Sequence, residues 1–234
     1  MRLLGGDGAG PLRRALGYVA GFLVAAALAV LLLGLVYRFV PPVSTLMLAR
    51  WATFRPVERI IVPLDAVAPF LPTAVIASED ARFCAHRGVD WGALRDVIDD
   101  AGDDGPSRGA STIAMQTAKN VFLWPGRSYI RKALELPIAL YLDLVWGKRR
   151  VMEVYLNVAE WGEGIFGAEA AARHHFGKSA RSLTRSEAAL LAAALPNPRM
   201  RDAGQPTARH RSLAGRVLAR SEGGAANACL RSAR

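Results

Sequence analysis

"IASEDARFCAHRG", residues 76–88, places two adjacent carboxylates, Glu79 and Asp80, at the end of an apolar run. Phe83 and His86 follow at near-helical spacing. Burying an ion is costly unless the ion is paired or put to use. One reading is an ordinary helix end, where acids and backbone groups meet and the apolar residues are core. The other is a reactive site. A carboxylate held among apolar side chains has its pKa raised and can act as an acid or base near neutral pH. Neighbouring helical residues do not face the same way. Glu79 and Asp80 must therefore differ in role, with Asp80 suited to binding backbone donors or a basic partner. His86 is either a structural histidine or that partner.

Outward from this stretch the pattern is helical. Asp90 can cap a short helix through Ile98, ended by "AGDDGPSRGA" (101–110). Ser111 can cap a helix to about Phe122, stopped by "WPG". Ser128 can cap a longer one to Trp146, with Pro137 as a kink and Gly147 as a stop. Lys148 to Leu156 reads as a further helix, and Thr184 with Glu187 forms a capping-box pattern. No β-alternation or internal repeat is visible, so the expected class is all-α.

The N-terminal region has a different character. No charged residue occurs from Ala15 to Tyr37, a run bracketed by Arg14 and Arg38. As a helix it would span about 35 Å, enough to cross a bilayer. A cleavable signal would have a shorter apolar core, about 7–15 residues. The expected organisation is a cytoplasmic arm (1–14), a transmembrane helix (15–40) and a proline-rich connector (41–64). A folded domain (65–200) and a basic C-terminal tail (201–234) follow. Arginines lie on both sides of the run, so counting them does not fix orientation. The short N-terminal arm favours a cytoplasmic amino end.

The net charge of +10 is concentrated at the ends. Residues 199–234 hold eight arginines against Asp202 and Glu222, a net +6, and residues 1–14 hold +2. This leaves +2 for residues 15–198, a balance that argues against nucleic acid and for a tail that meets anionic headgroups or solvent. Cys84 and Cys229 form no metal-ligand pattern. They can pair in an oxidising compartment, but a packed Cys84 and a free Cys229 are favoured.

Three further stretches carry chemistry. "GASTIAMQTAKN" (109–120) offers Gly109 and Ser111 at a helix start suited to an anion, with Gln116, Lys119 and Asn120 following. "GRSYIRKALE" (126–135) gathers Arg127, Arg131 and Lys132 ahead of Glu135, beside the apolar "LPIALYLDLVW". A cationic cluster next to an apolar segment suits a lipid with an anionic head, or a helix lying in a membrane interface. In "KRRVMEVYLN" (148–157) the apolar positions, Tyr155 among them, read as core, and Glu153 as a buried partner for a basic residue.

In this order the stretches resemble the family 51 peptidoglycan glycosyltransferases. The matching positions are Glu79, Asp80, Phe83, His86 and Gly88, then Gly109, Ser111, Thr112, Ile113, Gln116, Lys119 and Asn120. Arg131, Lys132 and Glu135 follow, then Lys148, Val151, Glu153, Tyr155, Leu156 and Asn157, and finally Phe176, Gly177 and Lys178. Met115 stands where many relatives carry a first glutamine. The chain is similar to the monofunctional biosynthetic transglycosylases, having no transpeptidase region in this sequence.

The resemblance implies a lysozyme-like domain with a membrane-dipping subdomain, preceded by one transmembrane helix. It implies polymerisation of lipid II into β-1,4 glycan strands at the periplasmic face of a bacterial inner membrane. Glu79 would be the general base and Glu135 the second carboxylate. Lys119, Arg127, Arg131 and Lys132 would bind the undecaprenyl pyrophosphate, with Ser111, Gln116 and Asn120 at the substrate. Asp80, Phe83, His86, Gly109 and Glu153 would support the site. No cofactor is obligatory, although a divalent metal (Mg or Mn) on the substrate pyrophosphate is compatible. Expected partners are lipid II, the growing strand, membrane lipids and other wall-synthesis proteins. The rival readings are a lysozyme-like or lytic glycan-cleaving enzyme and a silent scaffold. Cleavage of soluble glycan needs no cationic pyrophosphate site, and a scaffold needs no retained acids.

Overall fold

A computed structural model describes residues 10–99, 110–126, 128–222 and 227–231. The chain divides into two units, Met1–Val40 and Pro41–Arg234. In the first, α1 (Pro11–Tyr37) is one uninterrupted helix started by a proline in its first turn. Its side chains are apolar and exposed, with Phe22 at 72 % and Leu32 at 65 %. A helix this apolar with so little burial is suited to a lipid environment rather than water.

The second unit is predominantly α-helical. Its elements are α2 (Thr45–Ala52), α3 (Phe70–Glu79), α4 (Trp91–Asp99), α5 (Ile113–Phe122) and α6 (Tyr129–Val158), then α7 (Ala168–Phe176), α8 (Arg185–Ala194) and α9 (Ala208–Ser221). Helix α3 is apolar on nearly every face because it runs through the core, burying Leu71, Val75 and Ile76 completely. It packs on α8 and α9, while α5 packs on α6. Burial of Ala188, Ala189, Ala192 and Ala193 lets α8 approach its neighbours closely. Full burial of a large apolar side chain contributes about 1.5–3 kcal/mol. Trp161, Phe83 and Phe166, none with any exposed surface, are among the residues that define the centre.

Several expectations are corrected. A small sheet is present: β1 (Glu58–Arg59) pairs parallel with β3 (Ile165–Phe166), which pairs antiparallel with β2 (Glu160–Gly162). Strands of two or three residues are too short to show alternation in sequence. Their turn needs Gly164 (φ +77°), where a Cβ would come within 2.7 Å of the Arg50 guanidinium. The cap of α5 is Thr112, whose hydroxyl accepts from Met115 N–H at 3.1 Å, and not Ser111. Pro137 lies inside α6 without a break in helical geometry, so the expected kink is absent there, whereas Gly147 (φ +67°, ψ +168°) does divide α6 into two helices across a kink, as expected of a stop.

The cysteine expectation is overturned, since Cys84 and Cys229 form a disulfide. The short helix Ala228–Leu230 is seated by Asn227 on Thr73 (2.7 Å), by Arg149 on the Leu230 carbonyl, and by burial of Leu230. That docking brings together cysteines 145 residues apart, a meeting no local pattern could announce. The basic C-terminal segment is likewise part of the second unit. Helix α9 buries His210, Ala214 and Val217 and turns Arg209, Arg211, Arg216 and Arg220 outward.

Candidate active site

The site is assembled where α3 ends against the start of α5. Asp80, the C-cap of α3, accepts from His86 Nε2 at 2.9 and 3.1 Å and from the Ile113 N–H at 3.0 Å. One carboxylate thus ties the first motif to an otherwise unpaired donor in the first turn of α5. Phe83 is fully buried below it, under the Lys148 ammonium 4.7 Å from its ring centroid. Gly88 adopts φ +75° with its α-carbon against the Ala139 carbonyl, which a Cβ would meet at 2.5 Å. A glycine is required there.

Glu79 sits half-buried one residue before Asp80 and meets neutral donors. Ser78 Oγ donates to one carboxylate oxygen at 3.0 Å and Gln116 Nε2 to the other at 3.1 Å. Tyr155 Oη in turn donates to Gln116 Oε1 at 3.0 Å. Burial raises the Glu79 pKa, opposed by those hydrogen bonds and by the positive charges of Lys119 and Arg201. Tyr155, 1 % exposed, is held well above the ordinary phenol range by burial and then by the two neighbouring acids.

Glu135 has the opposite surroundings. It is 2 % exposed and ion-paired to Arg131 and, at 2.9 Å, to Lys132. Lys132 also reaches Ser111 Oγ. Lys119 lies in the field of both Glu79 and Glu135 and of the cations Arg131 and Lys132, and burial lowers its pKa. Among the described residues its ammonium has no hydrogen-bond or ion-pair partner. Gln116, Lys119, Asn120 and Tyr155 line a cavity of about 220 Å³ together with Glu160, Leu195 and Pro196. A larger cavity, about 410 Å³, lies between Leu64, Arg149 and Leu230 and holds no such set of reactive groups.

Of the residues expected at the site, Asp80 and His86 are bonded together, Glu79 and Gln116 form a second pair, and Ser111, Arg131, Lys132 and Glu135 a third cluster, with Lys119 in the field of Glu79 and Glu135. Glu153 stands apart as a brace, accepting from Leu64 N–H at 2.9 Å and pairing with Arg150. Gly109 and Arg127 lie outside the described residues. Ser78, Tyr155 and Arg201 escaped the sequence reading. Ser78 precedes the acid directly and could have been considered. Tyr155 read as core, and Arg201 was grouped with the C-terminal charge. Among the described residues no three His, Cys, Asp or Glu side chains gather to hold a metal. Both oxygens of Glu135 already face cations. The donors among the described residues therefore do not form a resident metal site.

An α-helical unit that holds one acid among neutral donors and a second among cations has a two-carboxylate layout of the kind glycosyl chemistry uses. The chain belongs to the transglycosylase family, whose model, described as Transglycosylase, matches residues 47–222. It is 54 % identical over 212 residues to a biosynthetic peptidoglycan transglycosylase of Rhodopseudomonas palustris (strain TIE-1), covering 89 % of this chain and 90 % of that one. With the protein of that name from Rhizobium meliloti (strain 1021) it shares 58 % over 177 residues, 76 % of this chain and 75 % of the relative. The corresponding protein of Nitrobacter hamburgensis is 50 % identical over 221 residues, 94 % of this chain and 98 % of its own. Family membership and the apolar α1 together mark a membrane-associated protein.

Proposed function

We propose that this chain is a peptidoglycan glycosyltransferase of cell-wall synthesis that polymerises lipid II by a single inverting displacement. The observation that carries the mechanism is the pair of unlike carboxylates, Glu79 among neutral donors and Glu135 among cations, whose charges both act on Lys119. Glu79, made more basic by burial, deprotonates the 4-hydroxyl of the acceptor N-acetylglucosamine. The growing strand is the donor, and its α-linked undecaprenyl pyrophosphate departs as the β-linkage forms. Such a leaving group is already a stabilised anion, so no strong protein acid is needed. The ammonium of Lys119, without a hydrogen-bond or ion-pair partner among the described residues, supplies charge-assisted hydrogen bonds to the pyrophosphate, with Arg131 and Lys132 in support. Arg127 joins them by the family resemblance. Glu135 holds Arg131 and Lys132 in place on the donor side. Purified protein given lipid II should yield lysozyme-sensitive polymer and undecaprenyl pyrophosphate, and should leave mature glycan uncut. Cutting of mature glycan without polymer would favour the lytic reading instead.

The membrane arrangement extends this proposal. Residues 1–14 form a cytoplasmic arm, 15–40 cross the inner membrane once, 41–64 connect, and the catalytic part from residue 65 is periplasmic. The Cys84–Cys229 disulfide supports an oxidising compartment. In the first half of α6, Ile130, Leu134, Pro137, Leu140 and Leu144 make an exposed stripe, while Arg131, Glu135, Ala139, Leu142 and Trp146 face inward. Apolar side chains outside and charges inside is the reverse of a water-facing helix. It supports a subdomain that dips into the bilayer. Alkaline phosphatase fused after Ala49 should be active. A nitroxide attached at Leu144→Cys in vesicle-reconstituted protein should collide with dissolved oxygen more than with a polar nickel complex. An inactive fusion removes the topology, and the reverse collision ranking removes the dipping helix.

A further inference from the structure

We propose that Tyr155 is a positioning residue for the reaction, acting on Glu79 through the side-chain amide of Gln116. This rests on Glu79 being the general base.

A glutamine amide offers an oxygen acceptor at one corner and two N–H donors at the other. Next to a carboxylate only the donor corner is favourable, because the acceptor corner would set oxygen against anionic oxygen. Gln116 is turned the favourable way: Nε2 donates to Glu79 and Oε1 accepts from Tyr155 Oη. Tyr155 is almost wholly enclosed by the core of α6. Its hydroxyl keeps its proton throughout the working pH range, since burial and the adjacent acids oppose phenolate. The tyrosine is thus a permanent donor with a fixed direction. It occupies the amide oxygen and leaves the N–H corner for Glu79. Three elements take part, α6 supplying the donor, α5 the amide and α3 the acid.

The arrangement works against the burial of Glu79. A carboxylate kept dry drifts toward the protonated form, which cannot take a proton from the acceptor sugar. A preset amide donor holds the ionised form and aims its free lone pairs without reorganisation during the reaction. Lys119 on α5 and Arg201 after α8 also favour the ionised acid. Asp80 follows Glu79 directly in sequence and is tied to His86 and Ile113. These groups stay unchanged when the tyrosine hydroxyl alone is removed.

The test is the pH dependence of kcat for lipid II polymerisation in Tyr155→Phe, Gln116→Met and the double variant, with KM measured alongside. Both substitutions nearly preserve volume. A hydrogen bond to a charged group is worth enough that its loss should lower kcat roughly tenfold at neutral pH. The acid limb should move upward by about one pH unit in Gln116→Met and by less in Tyr155→Phe, with KM little changed. The double variant should match Gln116→Met, because Tyr155 has no route to Glu79 without the amide. An acid limb that stays put in both single variants overturns the proposal. So does a tyrosine effect that persists in full on the Gln116→Met background. If Tyr155→Phe melts too early to assay, an unmoved acid limb in Gln116→Met alone is sufficient to reject it. Should Glu79→Gln retain normal turnover, the underlying base assignment fails, which is a different result from an intact base with an inert tyrosine.

Discussion

Glu79 and Glu135 both act electrostatically on Lys119, and their surroundings differ in kind. Glu79 is bonded by a serine hydroxyl and a glutamine amide, both neutral, and burial pushes its pKa upward. Glu135 is more deeply buried yet ion-paired to two cations. A buried acid with neutral partners remains able to exchange a proton, whereas an acid paired on both oxygens to cations serves to organise charge. In the proposed reaction the same residue type is thus used once as chemistry and once as scaffolding for chemistry.

The contrast can be broken most directly by Glu79→Gln. Turnover on lipid II should fall by about 10²–10⁴-fold, the usual range for loss of a general base, with binding of lipid II largely retained. Near-normal polymerisation would abolish the distinction. Glu135→Gln should behave differently and reduce stability. It strands the Arg131 guanidinium without its counterion, at a cost of about 3 kcal/mol, the low end for a broken buried pair because Lys132 is partly solvated. Glu79→Gln removes a charge that burial already disfavours and should not lower the melting temperature. Equal melting temperatures for the two variants would contradict the contrast.

Lys119→Ala should cost roughly ten- to a hundredfold in kcat/KM, as expected for a charged hydrogen bond. Both KM and kcat should suffer, because pyrophosphate charge is present before and during departure. A change confined to kcat would move Lys119 from the donor to the base. The smallest effect concerns pH. Activity requires ionised Glu79, whose pKa is raised, so turnover should fall with acidification at a pH above the ordinary glutamate value of about 4.3. Lys119→Ala removes a charge that favours the anion and should move that limb further up. A downward move would reverse the sign of the coupling.

Much of the site was legible because its residues sit at fixed spacings on helices. Glu79, Asp80 and His86 are readable as a unit, since one helix end brings them together. Gln116 and Lys119 share a face of α5, and Arg131, Lys132 and Glu135 fall within a single turn or so of α6. What could not be read depends on distant segments meeting. The Tyr155–Gln116 bond joins positions 39 apart and the disulfide joins positions 145 apart. The cap of α5 was misplaced by one residue because Ser111 and Thr112 are chemically equivalent there. Tertiary contact decided it: the Thr112 hydroxyl also donates to the Gly88 carbonyl, while Ser111 meets Lys132.

The cross-link between Cys84 and Cys229 also orders the protein's biogenesis. In the periplasmic arrangement proposed above, a chain threaded amino end first into an oxidising compartment delivers Cys84 long before its partner. At about 5–20 residues per second, the intervening 145 residues take on the order of ten seconds to arrive. Throughout that interval the thiol next to fully buried Phe83 is available to any other oxidised protein it meets. In that arrangement the Cys84–Cys229 bond is among the last events of maturation, and the protein depends on a cell that keeps nascent thiols from the wrong partners.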